Sequence, residues 1–548
     1  MDESLGVSGR MKELHERAQL ETHSENHAEA LKLAAEMEAL PYEPRKEILL
    51  GGVWINSGSA LGDEQIIQRG IGLLEDHVQE YESEDRGRED KLVFFYYLGN
   101  GYSETAAIKR RADKQYGFFQ QKKSDFHLAA ECYRKALDYD SHDFVTTQVC
   151  VNLGNSMDHQ GRCLEALDYY EKALTILPDF GMALGNKGLG LKYYARISGK
   201  RQVLVLSEAH HFLDLALQSK TTPPYARDRF LKAKEEIERA LGDKLIKPPF
   251  SAKYKNPGKS QIEKDYLDFG LRHGLYLNVC NFCSQRCNKA IEDNFTLETM
   301  VVPVGTDLDN DPFLRMQDWL NQMRVAYATA RYLLFQAIES SDDLSYVLRH
   351  VLIMETLDYS IYDIQIELLK VAFRSFYTIL DQIAGIVNEY LGLGIGMRNV
   401  YFSSVWFETV CEEGEKKKKK TVVRQQFLDK KAWTLNALYD LNFDLAHSDY
   451  YKQLRQMRNR LIHGFVSVRD FQANPTPDNL DKRELEIRTL ELAKLVRNAI
   501  GYLIFFLWND TQRDAREREA AGQLLAPMTL ERRERNDQAE PPDIEPDC

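Results

Sequence analysis

Between Tyr450 and Arg469 the chain carries Lys452, Arg455, Arg458, Arg460, His463 and Arg469 and no acidic residue. In a protein whose formal net charge is -13 at pH 7, that run predicts a local positive patch. Two of its members can do chemistry. An imidazole moves protons near neutral pH because its ordinary pKa is about 6.5, and a guanidinium holds anionic oxygens with a planar, two-pronged set of donors. On a helix with about 3.6 residues per turn, Arg458 and His463 stand roughly 140° apart, so they flank a cleft and do not share a ridge. Asn459, four residues before His463, lies on the same helical face and could orient the imidazole or an anion.

These residues need a helix to hold them. Ser448 or Asp449 is a reasonable N-cap, and the helix is expected to run through YYKQLRQMRNRLIHGFVSV. Upstream, Ile353, Leu357, Ile361, Ile364, Leu368 and Val371 step by three and four, and Ile379, Ile383, Ile386 and Tyr390 continue the pattern. The spacing predicts one long amphipathic helix, or two broken near Tyr359, ending at Gly392, Gly394 and Gly396. A polar loop follows with the block EEGEKKKKK from Glu412 to Lys420, which reads as a solvated surface loop or, more sharply, as a nucleic-acid backbone contact. A last helix from Arg483 to about Trp508 would close the bundle. Its run from Ala499 to Trp508 is the longest apolar stretch and has ten residues. A membrane span needs about 20, so this is expected to be buried helix. Beyond Gln512 the charged tail is expected to be disordered.

The segment Arg458-Asn459-Arg460-Leu461-Ile462-His463 resembles the motif of the HEPN superfamily, an Arg followed by a polar residue with His several positions on. IELLKVAFRSFYTILDQIAGIVNEY is similar to the helix that precedes the motif in a HEPN branch also carrying tetratricopeptide repeats, and LYLNVCNFC resembles part of that branch. The resemblance covers roughly residues 260 to 510. It implies metal-independent RNA cleavage, in which the ribose 2′-OH attacks the adjacent phosphorus and leaves a cyclic phosphate. His463 would then move the proton, Arg458 would hold the phosphoryl oxygens, and Asn459 would orient. Lys452, Arg455 and Arg460 would contact the RNA backbone. One histidine per motif leaves acid and base to two copies, which a twofold dimer would supply. Among nearby acids, Glu355, Asp358, Glu367 or Asp381 could pair with Arg458, and the sequence does not choose between them.

Ahead of this region Leu153, Gly154, Met157, Ala166, Tyr170, Ala173 and Pro178 stand at the offsets of a tetratricopeptide repeat, a helix pair of about 34 residues. Gly154 and Ala166 would let the two helices touch, Tyr170 would pack into the next unit and Pro178 would end the second helix. Gly188, Leu191, Ala209, Leu213 and Ala216 repeat the pattern with an insertion. Leu98, Gly99, Tyr102, Ala129, Tyr133 and Ala136 do so upstream, and Glu25 to Tyr81 is similarly helical, with Ala28, Leu31, Ala34 and Ala35 at helical spacing. Such an array is expected to bind a protein partner on its concave face, or to serve only as scaffold.

At 548 residues, with 28% charged and 43% hydrophobic residues, the chain should fold as two or three units. The expected architecture is all-α, a tetratricopeptide-repeat solenoid over 1–246, a linker and bridging helical segment over 247–311, a HEPN-like helical bundle over 312–512 and a tail over 513–548. KPPFSAKYKNPGK marks the linker. Eight cysteines without a pairing pattern, and an N-terminus without an apolar core, point to a cytoplasmic protein. Cys280, Cys283 and Cys287 could suggest a metal, yet no second CxxC pair follows and only His273 is near. They read as small half-buried thiols, with no metal and no cofactor expected. GxxxxGK[ST] and HExxH are absent, which disfavours nucleotide hydrolases and zinc proteases. The reading is therefore an endoribonuclease of a bacterial toxin or antiphage defence type, acting on RNA as a homodimer away from membranes. Its alternative is a non-enzymatic interaction scaffold that dimerises through the helical domain.

Overall fold

The computed structural model describes residues 7–24, 26–41, 45–198, 202–248, 254–278, 288–297, 299–304, 312–340, 344–354, 360–411, 419–463, 466–469 and 479–529. It is all-α, with only short two-stranded pairings beside the helices. Two compact units emerge. One comprises Met1–Gly190, Phe212–Lys234 and Ser448–Tyr450; the other comprises Leu191–His211, Glu235–His447 and Tyr451–Cys548.

The first unit is a series of helix pairs. α1 (Val7–His23), α2 (His27–Ala39), α3 (Lys46–Leu61) and α4 (Glu64–Glu75) share a core that includes Leu14, Leu33, Met37, Leu50 and Trp54. The turn between α3 and α4 has a readable cause: Gly62 takes a left-handed φ of 67°, and the Asp63 carboxylate accepts from the N–H groups of Gln65 and Ile66. After the short α5 (Val78–Glu82), α6 (Arg88–Ala112) pairs with α7 (Asp125–Leu137), and α8 (Phe144–His159) with α9 (Cys163–Ile176). α10 (Gly181–Ser198), α11 (Gln202–Gln218) and α12 (Pro224–Leu241) follow in the chain, each with only part of its length in this unit.

Glycine sets the closeness of two of these pairs. A Cβ added at Gly154 would lie 2.6 Å from the Tyr170 ring, and one at Gly99 would lie 2.6 Å from the Tyr133 ring. Tyr170 therefore fills a slot inside its own pair, and it also meets the next one as the sequence pattern suggested, since a Cβ added at Gly190 of α10 would lie 3.8 Å from the same ring. The two tyrosines also enter a ladder of amides. The Tyr133 and Tyr170 hydroxyls each donate across 2.8 Å, to Asn100 Oδ1 and Asn155 Oδ1, which also accept from Asn152 Nδ2 and Asn186 Nδ2 at 2.9 Å. α9 stops at Ile176, two residues before Pro178.

In the second unit α13 (Gln261–Arg272) precedes α14 (Pro312–Ile338), and α15 (Ile364–Tyr390) packs along both α14 and α19 (Lys482–Ala520). α15 buries Leu369, Phe373, Phe376, Leu380, Ile383 and Val387 at helical spacing. α16 (Gln425–Lys430) is short, α17 (Trp433–His447) is buried along Thr434 to Leu445, and α18 (Lys452–His463) lies against α15 and α17. β1 (Thr299–Pro303) pairs antiparallel with β6 (Leu525–Thr529), β2 (Phe407–Cys411) antiparallel with β3 (Lys419–Val423), and β4 (Ser467–Arg469) parallel with β5 (Asn479–Asp481).

Several expectations need correction. The helical period that begins at Ile353 makes no helix among the described residues ahead of α15: after a turn at Ser345–Val347 neither helix nor strand forms over Val351–Met354, residues 355–359 lie outside the described part, and α15 starts at Ile364. Just before α15, Ile361 N–H donates to Val468 O at 2.7 Å and Ser360 bridges to Arg469, so those two residues are drawn into strand pairing with a segment far along the sequence. The Asp363 carboxylate then caps α15 by accepting from Gln365 N–H. α18 begins at Lys452 and ends at His463, giving way to β4 where continued helix was expected. The final helix runs twelve residues past Trp508 to Ala520 and β6 follows, so the stretch 513–529 expected to be disordered is ordered. Of the lysine block, Lys419 and Lys420 stand in β3; Glu412 to Lys418 lie outside the described residues, as do Cys280, Cys283 and Cys287.

Candidate active site

α18 divides cleanly into two faces. Leu454, Met457 and Leu461 are buried, stepping by three and four, so the cationic residues are left on the other side. Lys452 and Asn459 are exposed, and Arg455, Arg458 and Arg460 are half-buried. His463 is the last residue of the helix, and its side chain lies outside the described part of the structure.

Arg458 faces α15. Its guanidinium carbon sits 6.0 Å from the centre of the Tyr377 ring, and its Nη1 donates to Asn459 Oδ1 at 3.3 Å. Four residues along α15 from Tyr377 is Asp381, whose carboxylate accepts from Phe402 N–H at 2.8 Å. Burial pushes the Asp381 carboxyl above its ordinary value, while the Phe402 amide and the positive charge of Arg458 pull the other way. Burial likewise pushes the Tyr377 phenol up to about 12, against the pull of Arg458 and Arg455. So the structure brings Arg458, Asn459, Tyr377 and Asp381 to one place. Of the two described acids among the four on offer, Asp381 feels Arg458 and Glu367 pairs with Lys370 at 2.8 Å; Glu355 and Asp358 lie outside the described residues.

Arg455 has a different task. Its Nη1 donates to Leu445 O at 2.8 Å, satisfying a carbonyl near the C-terminal end of α17. Tyr377 was not picked out by sequence reasoning. The available signal was its spacing of four from Asp381 on α15, which sets both on one helical face.

Residues 309–510 match the family model described as LA2681-like HEPN. The match spans α14 to α18 and most of α19, and so contains every residue of the cluster just described. It supports a HEPN domain in this part of the chain and, at a general level, an RNA-cleaving function. No curated protein matches the chain.

Outside the HEPN domain, one group of metal-capable side chains meets among the described residues: Glu47, His77 and Glu80 in the repeat unit. Arg86 already supplies positive charge there, bonded to Glu80 and 3.7 Å from Glu47, and Tyr81 OH donates to Glu47. The arrangement reads as an ion network tying α3 to α5. Among the described residues no helix is long and apolar enough to cross a membrane.

Proposed function

We propose that the protein is a metal-independent endoribonuclease whose reaction is run from α18 of the HEPN domain. The observation that carries this reading is Arg458, a half-buried cation on an acid-free helix, set against the face of α15 that presents Tyr377 and Asp381. A guanidinium in such a place can receive a phosphate with both prongs, and charge that builds on the phosphoryl oxygens would be held there without reorganisation.

In the step proposed, the ribose 2′-oxygen bonds to the adjacent phosphorus as its proton departs to a base, the bond from phosphorus to the 5′-oxygen breaks, and an acid returns a proton to that oxygen. The products are a 2′,3′-cyclic phosphate and a 5′-hydroxyl. His463 performs one proton transfer, and the same residue of a second copy performs the other. Arg458 holds the non-bridging oxygens, and Asn459 orients the imidazole one turn on. Lys452 and Arg460 attract the flanking phosphates, while Arg455 contributes charge from its fixed position.

The first unit is read as a tetratricopeptide-type sensor that binds a protein partner, and the whole as a cytoplasmic effector of the toxin or antiphage defence type. The test is RNA cleavage by the purified full chain in excess chelator. Wild type should release 2′,3′-cyclic ends, and His463→Ala should lower the rate by about 10²–10⁴-fold with an unchanged thermal midpoint. Equal cleavage by a folded His463→Ala chain removes His463 from the reaction and with it the proposed mechanism, and no cleavage by wild type leaves a scaffold that only binds.

A further inference from the structure

A two-stranded ribbon rises from the HEPN domain beside the candidate active site. β2 and β3 pair from Phe407 opposite Val423 to Cys411 opposite Lys419. Burial falls along them: Val423 is buried and Phe407 half-buried, whereas Thr409, Val410, Lys419, Lys420 and Thr421 are exposed. Successive strand residues point to opposite faces, so three exposed residues in a row mean that neither face of the far end is covered. A hairpin with two open faces is marginal alone, and this one is held at its root.

The root is fixed to the side of the site. Arg424, the residue after β3, donates from its N–H to Trp406 O at 3.0 Å and from Nε to Val405 O at 3.1 Å. Trp406 is fully buried, with its ring against Phe427 and Tyr439, and its Nε1 donates to Phe402 O at 2.7 Å. Phe402 N–H in turn donates to Asp381, the carboxylate that feels Arg458. This run of satisfied bonds gives the ribbon's root one position relative to the guanidinium.

The chemistry of the ribbon suits one ligand. Over the described residues 396–411 and 419–424 the cations are Arg398, Lys419, Lys420 and Arg424, and the single acid, Glu408, lies 3.7 Å from Arg424. Lys419 stands four residues beyond Val423, about 13 Å along the strand. Beside the root Tyr401 is 48% exposed, its hydroxyl donating to Arg398 O at 3.1 Å. A cationic track with an open aromatic ring beside it fits a single nucleic-acid strand, which sets phosphates on the ammonium groups and a base on the ring; a duplex keeps its bases stacked inside.

We infer that β2 and β3 form an arm that holds the single-stranded flank of the RNA as it leaves Arg458, with Lys419 and Lys420 on its phosphates and Tyr401 under a base. This inference rests on the RNA-cleaving reading of the site and adds a binding tract to it.

The test is fluorescence anisotropy of the full chain with a single strand of 2′-O-methyl RNA, which has no 2′-OH to attack, titrated at several salt concentrations. Lys419→Gln/Lys420→Gln should weaken binding at low salt and lower the slope of log affinity against log salt by about 1.4, because each phosphate contact on a single strand contributes about 0.7. Tyr401→Ala should weaken binding about 5-fold or more and keep the slope. Both variants should keep the thermal midpoint, and Lys220→Gln/Lys232→Gln, at exposed lysines of the first unit, should bind as wild type does. An unchanged slope in the arm variant overturns the inference and gives the arm to a different partner. An equal fall in the control overturns it too, by reducing the effect to overall charge. A duplex that binds as tightly as the single strand and ignores Tyr401→Ala overturns the single-strand assignment. Cleavage that depends on His463 beside an arm variant with unaltered binding sinks this inference alone, whereas RNA held by the arm with equal cleavage by His463→Ala sinks the proposed mechanism alone.

Discussion

The two units differ in the sequence distance over which their packing is decided. In the repeat unit the Gly99 slot is filled by Tyr133 and the Gly154 slot by Tyr170, both close along the chain. In the HEPN domain, Tyr327 OH donates to Ala493 O across 166 residues and Tyr390 OH to Asp510 across 120. Local contacts write themselves into spacing. Distant ones do not, because the partner that overrides a local period sits elsewhere in the sequence.

That contrast can be broken by perturbation. The largest effect is expected at a buried ion pair of the second unit. Arg331, 3% exposed, forms two bonds to the Asp293 carboxylate at 2.9 and 2.7 Å and stacks 4.3 Å from the Tyr276 ring centre. Asp293→Ala leaves this guanidinium without its counter-charge and should cost about 3–5 kcal/mol in urea unfolding. A value under about 1 kcal/mol would mean that the remaining partners suffice. Next comes Gly154→Val, whose branched side chain enters the space of the Tyr170 ring and should cost about 2 kcal/mol. Hydrogen exchange should place that loss in α8, α9 and their neighbouring helices, as nearest-neighbour coupling in an array requires. Loss spread evenly over all of the first unit would erase the distinction drawn above.

The same contrast explains what could be read in advance. Helix pairs, their glycine slots and the basic face of α18 follow from residues within a turn or a pair of each other. The start of α15 was set too early because the apolar spacing ahead of it suits a helix, while the Val468 carbonyl, more than a hundred residues later, holds the backbone at Ile361. The end of the last helix was set too early because the charged stretch after Trp508 resembles a tail, yet Asp510 is buried with Lys430 and Tyr390. At the candidate site, Arg458 and Asn459 were visible as a pair, but the choice of Asp381 over Glu367 needed the position of α15 against α18.

The smallest expected effect sharpens that choice. Asp381 is the one carboxyl on α15 whose titration is shown to feel Arg458, and burial holds its folded-state pKa above the ordinary 3.8. A raised carboxyl binds its proton more tightly folded than unfolded, so wild type is favoured most below pH 3.8 and loses that advantage as pH climbs toward the raised value. Asp381→Asn keeps an acceptor for the Phe402 N–H and cannot ionise. Its midpoint relative to wild type should therefore rise with pH through the window above 3.8 and then level off, by a few degrees at most. If Asp381 also steadies Arg458 for phosphate, the same variant should lower kcat for RNA cleavage while leaving the midpoint at neutral pH equal or higher. A variant that loses stability as pH rises would instead mean that the ion pair outweighs burial, and that Asp381 holds the helices together more than it positions the guanidinium.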